Sequence, residues 1–156
     1  MNVEVLSTYS RVKNIPYGWP LFWSYSRKKA HCGIKSEILA SMLRKKGYDV
    51  RFAVGYRCGM IPRFWPKFLD VHFWVEVNDN GRWITLDPTP DSVVAHFVGD
   101  VLPGEHLGEP EHVHRVKKIP VWYKDIYNSW LLLPYKLMVN IGLLSAKLYS
   151  NVLRHE

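Results

Sequence analysis

Val71-His72-Phe73-Trp74-Val75-Glu76-Val77-Asn78-Asp79-Asn80-Gly81-Arg82-Trp83-Ile84-Thr85-Leu86-Asp87-Pro88 reads as two strands and the turn between them. Val71, Phe73, Val75 and Val77 alternate with His72, Trp74 and Glu76, the period of a strand with one apolar face. Asn80-Gly81 is a hairpin-turn dipeptide, and Pro88 closes the returning strand. A two-residue turn sets Asp79 against Arg82, Val77 against Ile84 and Val75 against Leu86, so one face is largely apolar. Trp74 then falls opposite Asp87, with His72 diagonal to it. Diagonal neighbours lie about 7–8 Å apart at the backbone, within reach of an imidazole–carboxylate hydrogen bond. A four-residue turn over Asn78–Gly81 would instead place His72 directly opposite Asp87.

The second informative stretch starts at Cys32. Ile34, Ile38, Leu39, Met42 and Leu43 recur at helical spacing, with Lys35, Ser41, Arg44 and Lys45 expected on the outer faces. Arg44, Lys45 and Lys46 suit the negative end of a helix dipole, and Gly47 suits its stop. Cys32 would sit at the positive end, where free N–H groups stabilise a thiolate. A lone cysteine is more often an inert core residue. A His–Asp pair on a hairpin beside a cysteine at a helix start is the arrangement of nucleophilic catalysis, in which the base takes the thiol proton and the carboxylate orients the base.

Between these stretches Val50, Phe52, Val54 and Tyr56 alternate with Arg51, Ala53 and Gly55, a further strand. Small Ala53 and Gly55 would let the preceding helix lie close. Residues 57–70 carry Pro62 and Pro66 and read as a long loop, either a substrate-gripping rim presenting Trp65 or a cover folded on the core. Residues 1–30 break at Pro16, Gly18 and Pro20 and read as an irregular lead-in or short helices. Trp23 and Tyr25 in that run are candidates for the oxyanion side of the site. A loop from Pro103 to His114 carries several Glu and His residues. His112-x-His114 lacks a third ligand at firm spacing, so no metal site is assigned. Residues 121–153 read as one or two helices, with a kink at Pro134, a broad apolar face and a narrow polar stripe.

With 156 residues, 47% hydrophobic and 14% aromatic, one globular domain spanning 1–156 is expected. Two cysteines make no disulfide framework and fit a reducing, cytoplasmic compartment; the N-terminus shows no signal-peptide pattern. The net charge of +7 is spread along the chain, so no nucleic-acid partner is assigned.

The run Cys32-x4-Glu37-Ile38-Leu39-Ala40-x2-Leu43-Arg44-x2-Gly47-Tyr48, then His72-x-Trp74-Val75-Glu76-Val77, then Gly81-x-Trp83-x3-Asp87-Pro88-Thr89, resembles the transglutaminase-like superfamily of papain-fold enzymes. The resemblance spans residues 32–89. It implies Cys32 as nucleophile, His72 as base and Asp87 as third member, with Trp74, Glu76 and Trp83 in supporting positions. Its first oxyanion donor would be the Cys32 N–H; no second donor stands out upstream, and His31 stands where a small residue is common. The Cys-x-x-Lys-Ser start and the small size are also similar to leader peptidases of the same superfamily.

The expected fold class is α+β: a papain-like, transglutaminase-like core with the nucleophile helix packed on an antiparallel sheet, and a C-terminal helical extension. The expected function is a cysteine-dependent amide hydrolase acting on a peptide or protein through a thioester, without a cofactor. The alternatives are a transamidase or acyltransferase, or a non-catalytic binding module that keeps the fold. Candidate site residues are Cys32, His72 and Asp87, with Trp23, Tyr25, Trp65 and Trp74 for substrate or oxyanion contacts. The 121–153 segment is read as core, as a homo-oligomer face or as a membrane-surface contact, with self-association ranked above membrane.

Overall fold

A computed structural model of the chain describes residues 1–20, 29–59, 70–92, 94–95 and 99–153, the stretch 146–153 by its backbone alone. Its elements are α1 (Val3–Lys13), α2 (Cys32–Lys45), β1 (Val50–Tyr56), β2 (Val71–Asp79), β3 (Arg82–Leu86), β4 (His112–Val116), α3 (Val121–Asn128), a short 3-10 turn (Trp130–Leu132) and α4 (Leu133–Leu153). The strands form one antiparallel sheet in the order β3-β2-β1-β4, with the helices grouped outside it, an α+β arrangement.

The hairpin has the two-residue register. Asp79 pairs with Arg82, Val77 with Ile84 and Val75 with Leu86. Asn80 (φ 54°) and Gly81 (φ 85°) both take positive φ, as a type I′ turn demands. On one face of the sheet, Phe52, Val54, Phe73 and Val75 meet Leu39, Ala40 and Leu43 of α2, and α1 adds Val5, Tyr9 and Val12 to the same core. These side chains are almost wholly removed from water, each contributing about 1.5–3 kcal/mol relative to exposure. The second face of β2 is closed as well, because the segment before β4 crosses it and His106 stacks on Trp74.

Four expectations change, and one open alternative is decided. Lys35, placed on an outer face, is fully buried. The first turn of α2 is enclosed on all sides, and the Lys35 ammonium finds oxygen partners there. The small Ala53 and Gly55 do not receive α2, which packs on the large apolar face. Gly55 instead admits Trp74 and Pro110, either of which would lie 2.9 Å from an added Cβ. The lead-in takes the short-helix alternative: α1 is capped by the Asn2 side chain on the Glu4 N–H. The loop before residue 114 ends earlier than expected, since His112–Val116 adds a fourth strand to β1. In the C-terminal segment the chain breaks at the 3-10 turn, so Pro134 lies in the first turn of α4, where its missing N–H costs nothing.

Candidate active site

Cys32 opens α2. His31 is the N-cap, and its Nδ1 accepts the Gly33 N–H at 3.1 Å. The aromatic lead-in is held beside this turn by a short bridge: Gly18 N–H donates to Ala30 O at 3.2 Å and Ala30 N–H to Pro16 O at 3.0 Å. Trp19 thereby stacks on His31 at 5.1 Å, and Tyr127 of α3 packs against the same imidazole at 4.5 Å. Burial first, and the Lys136 charge second, push His31 down to about 3. Its Nδ1 lone pair is already taken by Gly33. His31, although next in sequence to the cysteine, is thus a neutral cap and a poor base.

His72 is the opposite case. It lies near the start of β2, and its Nε2 is 2.6 Å from Asp87 Oδ2, both side chains being almost fully buried. Burial alone would lower the imidazole. The Asp87 carboxylate outweighs it, the Cys32 sulfur adds to the effect, and the net is a rise to about 10. His72 Nδ1 is buried and makes no hydrogen bond. For Asp87, burial acts upward, but His72 and the donors on its oxygens outweigh it and hold the carboxyl below its ordinary range. Those donors are the Thr89 N–H on Oδ1 at 3.0 Å and the Leu107 N–H on Oδ2 at 2.9 Å. Three donors on two oxygens fix the carboxylate.

The main chain around Asp87 is pinned too. Tyr9 Oη lies 3.1 Å from the Asp87 carbonyl oxygen and 3.0 Å from that of Val101, and donates to one at a time. Lys35 Nζ donates to the carbonyls of Lys13 and Thr89, each at 3.0 Å. Burial lowers this ammonium to about 8 against the attraction of Asp91 and Asp87. One lysine thus ties the cysteine helix to α1 and to the Asp-Pro-Thr corner.

The supporting residues divide clearly. Trp74, a candidate for substrate or oxyanion contact, is buried between His106 (4.3 Å) and His72 (5.7 Å), so it backs the histidine rather than lining an open surface. Glu76 binds Arg51 Nε at 2.6 Å and Arg115 Nη2 at 3.2 Å, linking β2 to β1 and β4. Trp83 lies under the Arg51 guanidinium at 3.9 Å. Trp23, Tyr25 and Trp65 lie outside the described residues. Cys58 is buried, and burial, followed by Asp70, pushes its thiol up to about 12.

Sequence reasoning missed Tyr9, Lys35, Leu107 and Tyr17. Tyr17 shares the cysteine's surroundings: burial, with Cys32 next, pushes its phenol well above 10, and its oxygen accepts the Trp19 Nε1–H at 3.1 Å. Val5, Tyr9 and Val12 at helical spacing were a readable signal for Tyr9; the Leu107 contact is made by backbone and leaves none. A concavity of about 870 Å³ and one of about 590 Å³ lie away from the site: neither is lined by Cys32, His72 or Asp87. Among the described residues no group of three or more His, Cys, Asp or Glu side chains could hold a metal ion.

Comparison with curated proteins and with solved structures gave no match. A family model does match: the transglutaminase-like superfamily, over residues 3–88. The matched span takes in α1 as well as the cysteine helix and the hairpin, more than half of the 156 residues. On that match, and on a cysteine helix packed against an antiparallel sheet that carries a buried His–Asp pair, the chain belongs to the transglutaminase-like superfamily.

Proposed function

We propose that the chain is a cysteine-dependent amide hydrolase with Cys32 as nucleophile, His72 as proton carrier and Asp87 as the group that orients and charges His72. The observation that carries this reading is the buried His72–Asp87 contact of 2.6 Å, with the second ring nitrogen making no hydrogen bond. Asp87 favours imidazolium, and imidazolium beside a helix N-terminus favours the thiolate. The thiolate adds to an amide carbonyl, and the Cys32 N–H stabilises the oxyanion. His72 gives its proton to the departing amine, leaving a thioester on Cys32. His72 then takes a proton from water, hydroxide adds to the thioester, and the carboxylic acid leaves as the thiolate is restored. An amine in place of water would make the same site a transamidase.

Timed alkylation by iodoacetamide, read by peptide mass spectrometry, tests the nucleophile. Cys32 is expected to react faster than Cys58 at neutral pH, and His72→Ala to slow Cys32 about tenfold or more. Equal rates, unchanged by the substitution, would overturn the assignment. Incubation with a peptide mixture and a fluorescent primary amine separates the two outcomes of the thioester: new carboxylates mark hydrolysis, amine carried into peptide marks transamidation. A second reading, a binding module that keeps the fold without turnover, is favoured by one observation: Cys32 is only 4% exposed. That reading requires no labelling preference and no product in either assay.

A further inference from the structure

The C-terminal helix is inside out. In α4 the polar Lys136 and Asn140 face the body of the protein. Lys136 Nζ donates to the Tyr127 carbonyl and lies 4.1 Å from the Tyr127 ring centroid. Asn140 donates to Trp19 O at 2.7 Å and accepts the Trp19 N–H at 3.1 Å. The opposite side carries Leu137, Met138, Ile141 and Leu144, which are 49–65% exposed. Ahead of α4, Trp130 is 78% and Leu131 89% exposed. Residues 137–146 contain no charged side chain. A surface helix of a globular protein normally does the reverse, hiding its apolar stripe and wetting its polar one. A contiguous exposed apolar face of this kind marks a contact with another apolar phase.

Charge decides between the occupants. Two copies of a chain with a net charge of +7 repel each other, whereas an anionic bilayer attracts each of them. Lys117 and Lys118 are exposed just ahead of Val121 and Trp122, themselves exposed at 71% and 45%, so a basic rim borders the start of the apolar segment. Tryptophan is favoured where hydrocarbon meets headgroups. Over residues 137–145 the exposed side of α4 also lacks the flanking charges that set register between paired helices. Among the described residues no helix is long and apolar enough to cross a membrane, so this helix would lie on a bilayer rather than span it.

We propose that the outward face of α4, together with the Trp130–Leu131 turn, seats the protein on an anionic lipid surface. The proposal is independent of the amidase reading. Flotation of the intact chain with vesicles of phosphatidylcholine alone, or mixed with phosphatidylglycerol, tests it. The chain should float with the mixed vesicles, less in high salt, and less with the neutral ones. Ile141→Glu combined with Leu144→Glu should cut the bound fraction about tenfold or more, and Trp130→Ser should weaken it too. Both acidic substitutions are at exposed positions, so thermal unfolding and Cys32 alkylation should stay as in the wild type. A chain that floats with neither vesicle overturns the proposal. So does sedimentation showing a dimer that the double substitution dissociates, since a second copy then covers the face.

Discussion

Asp87→Asn is the substitution that separates a charged His72–Asp87 pair from a merely packed one. Folding raises the His72 pKa from 6.5 to about 10, so the native state keeps a proton that the unfolded chain releases in that interval. The stabilisation is fully present below the unfolded value and is lost as pH rises through about 10. Asp87 works in the other direction. Its pKa is lowered on folding, so its share is present above the ordinary carboxylate range and lost only in acid. At about 1.4 kcal/mol per pKa unit, the pair contributes about 3–5 kcal/mol, which matches the usual cost of removing one partner from a buried pair. Asparagine offers one oxygen where the carboxylate offers two to His72, Leu107 and Thr89, so a donor also loses its acceptor. That second loss is about 1–3 kcal/mol and does not depend on pH. Urea unfolding of wild type and Asp87→Asn across a pH series should show the widest gap near pH 6. It should narrow toward pH 10, as the wild type loses its imidazolium. A gap of constant size across the series would refute the charged pair, and no gap near pH 6 would refute the contact altogether.

Tyr9→Phe removes the hydroxyl that reaches the Asp87 and Val101 carbonyls, and thermal unfolding should report a loss of about 1–2 kcal/mol. It should also slow Cys32 alkylation less than His72→Ala does, because it loosens Asp87 without removing the base. Gly55→Val forces a side chain into Trp74, Pro110 and Cys58, and should lower stability by about 1–3 kcal/mol or more. Near-ultraviolet circular dichroism should change with it, as Trp74 is displaced from its stack with His106.

The hairpin was legible in the sequence because local chemistry settles it. Asn80-Gly81 permits positive φ at both turn positions, and the alternation of Val71–Val77 with Ile84 and Leu86 leaves one register that buries an apolar face. Once that register is set, His72 and Asp87 share a side of the sheet, and the pair follows. The cysteine helix was legible from its period and its basic end. Tertiary structure decided what lies far apart in the chain. Lys35 reads as a surface lysine until α1 and the Thr89 corner close over it and supply carbonyls for its ammonium. Strand β4 carries no apolar alternation, because an edge strand needs only its backbone to pair. The same holds for the choice between the two histidines flanking Cys32. Nothing in His31 or His72 as residues makes one a neutral cap and the other a charged partner. The rings of Trp19 and Tyr127 pack against the first, and Asp87 meets the second, and only the folded chain brings those neighbours together.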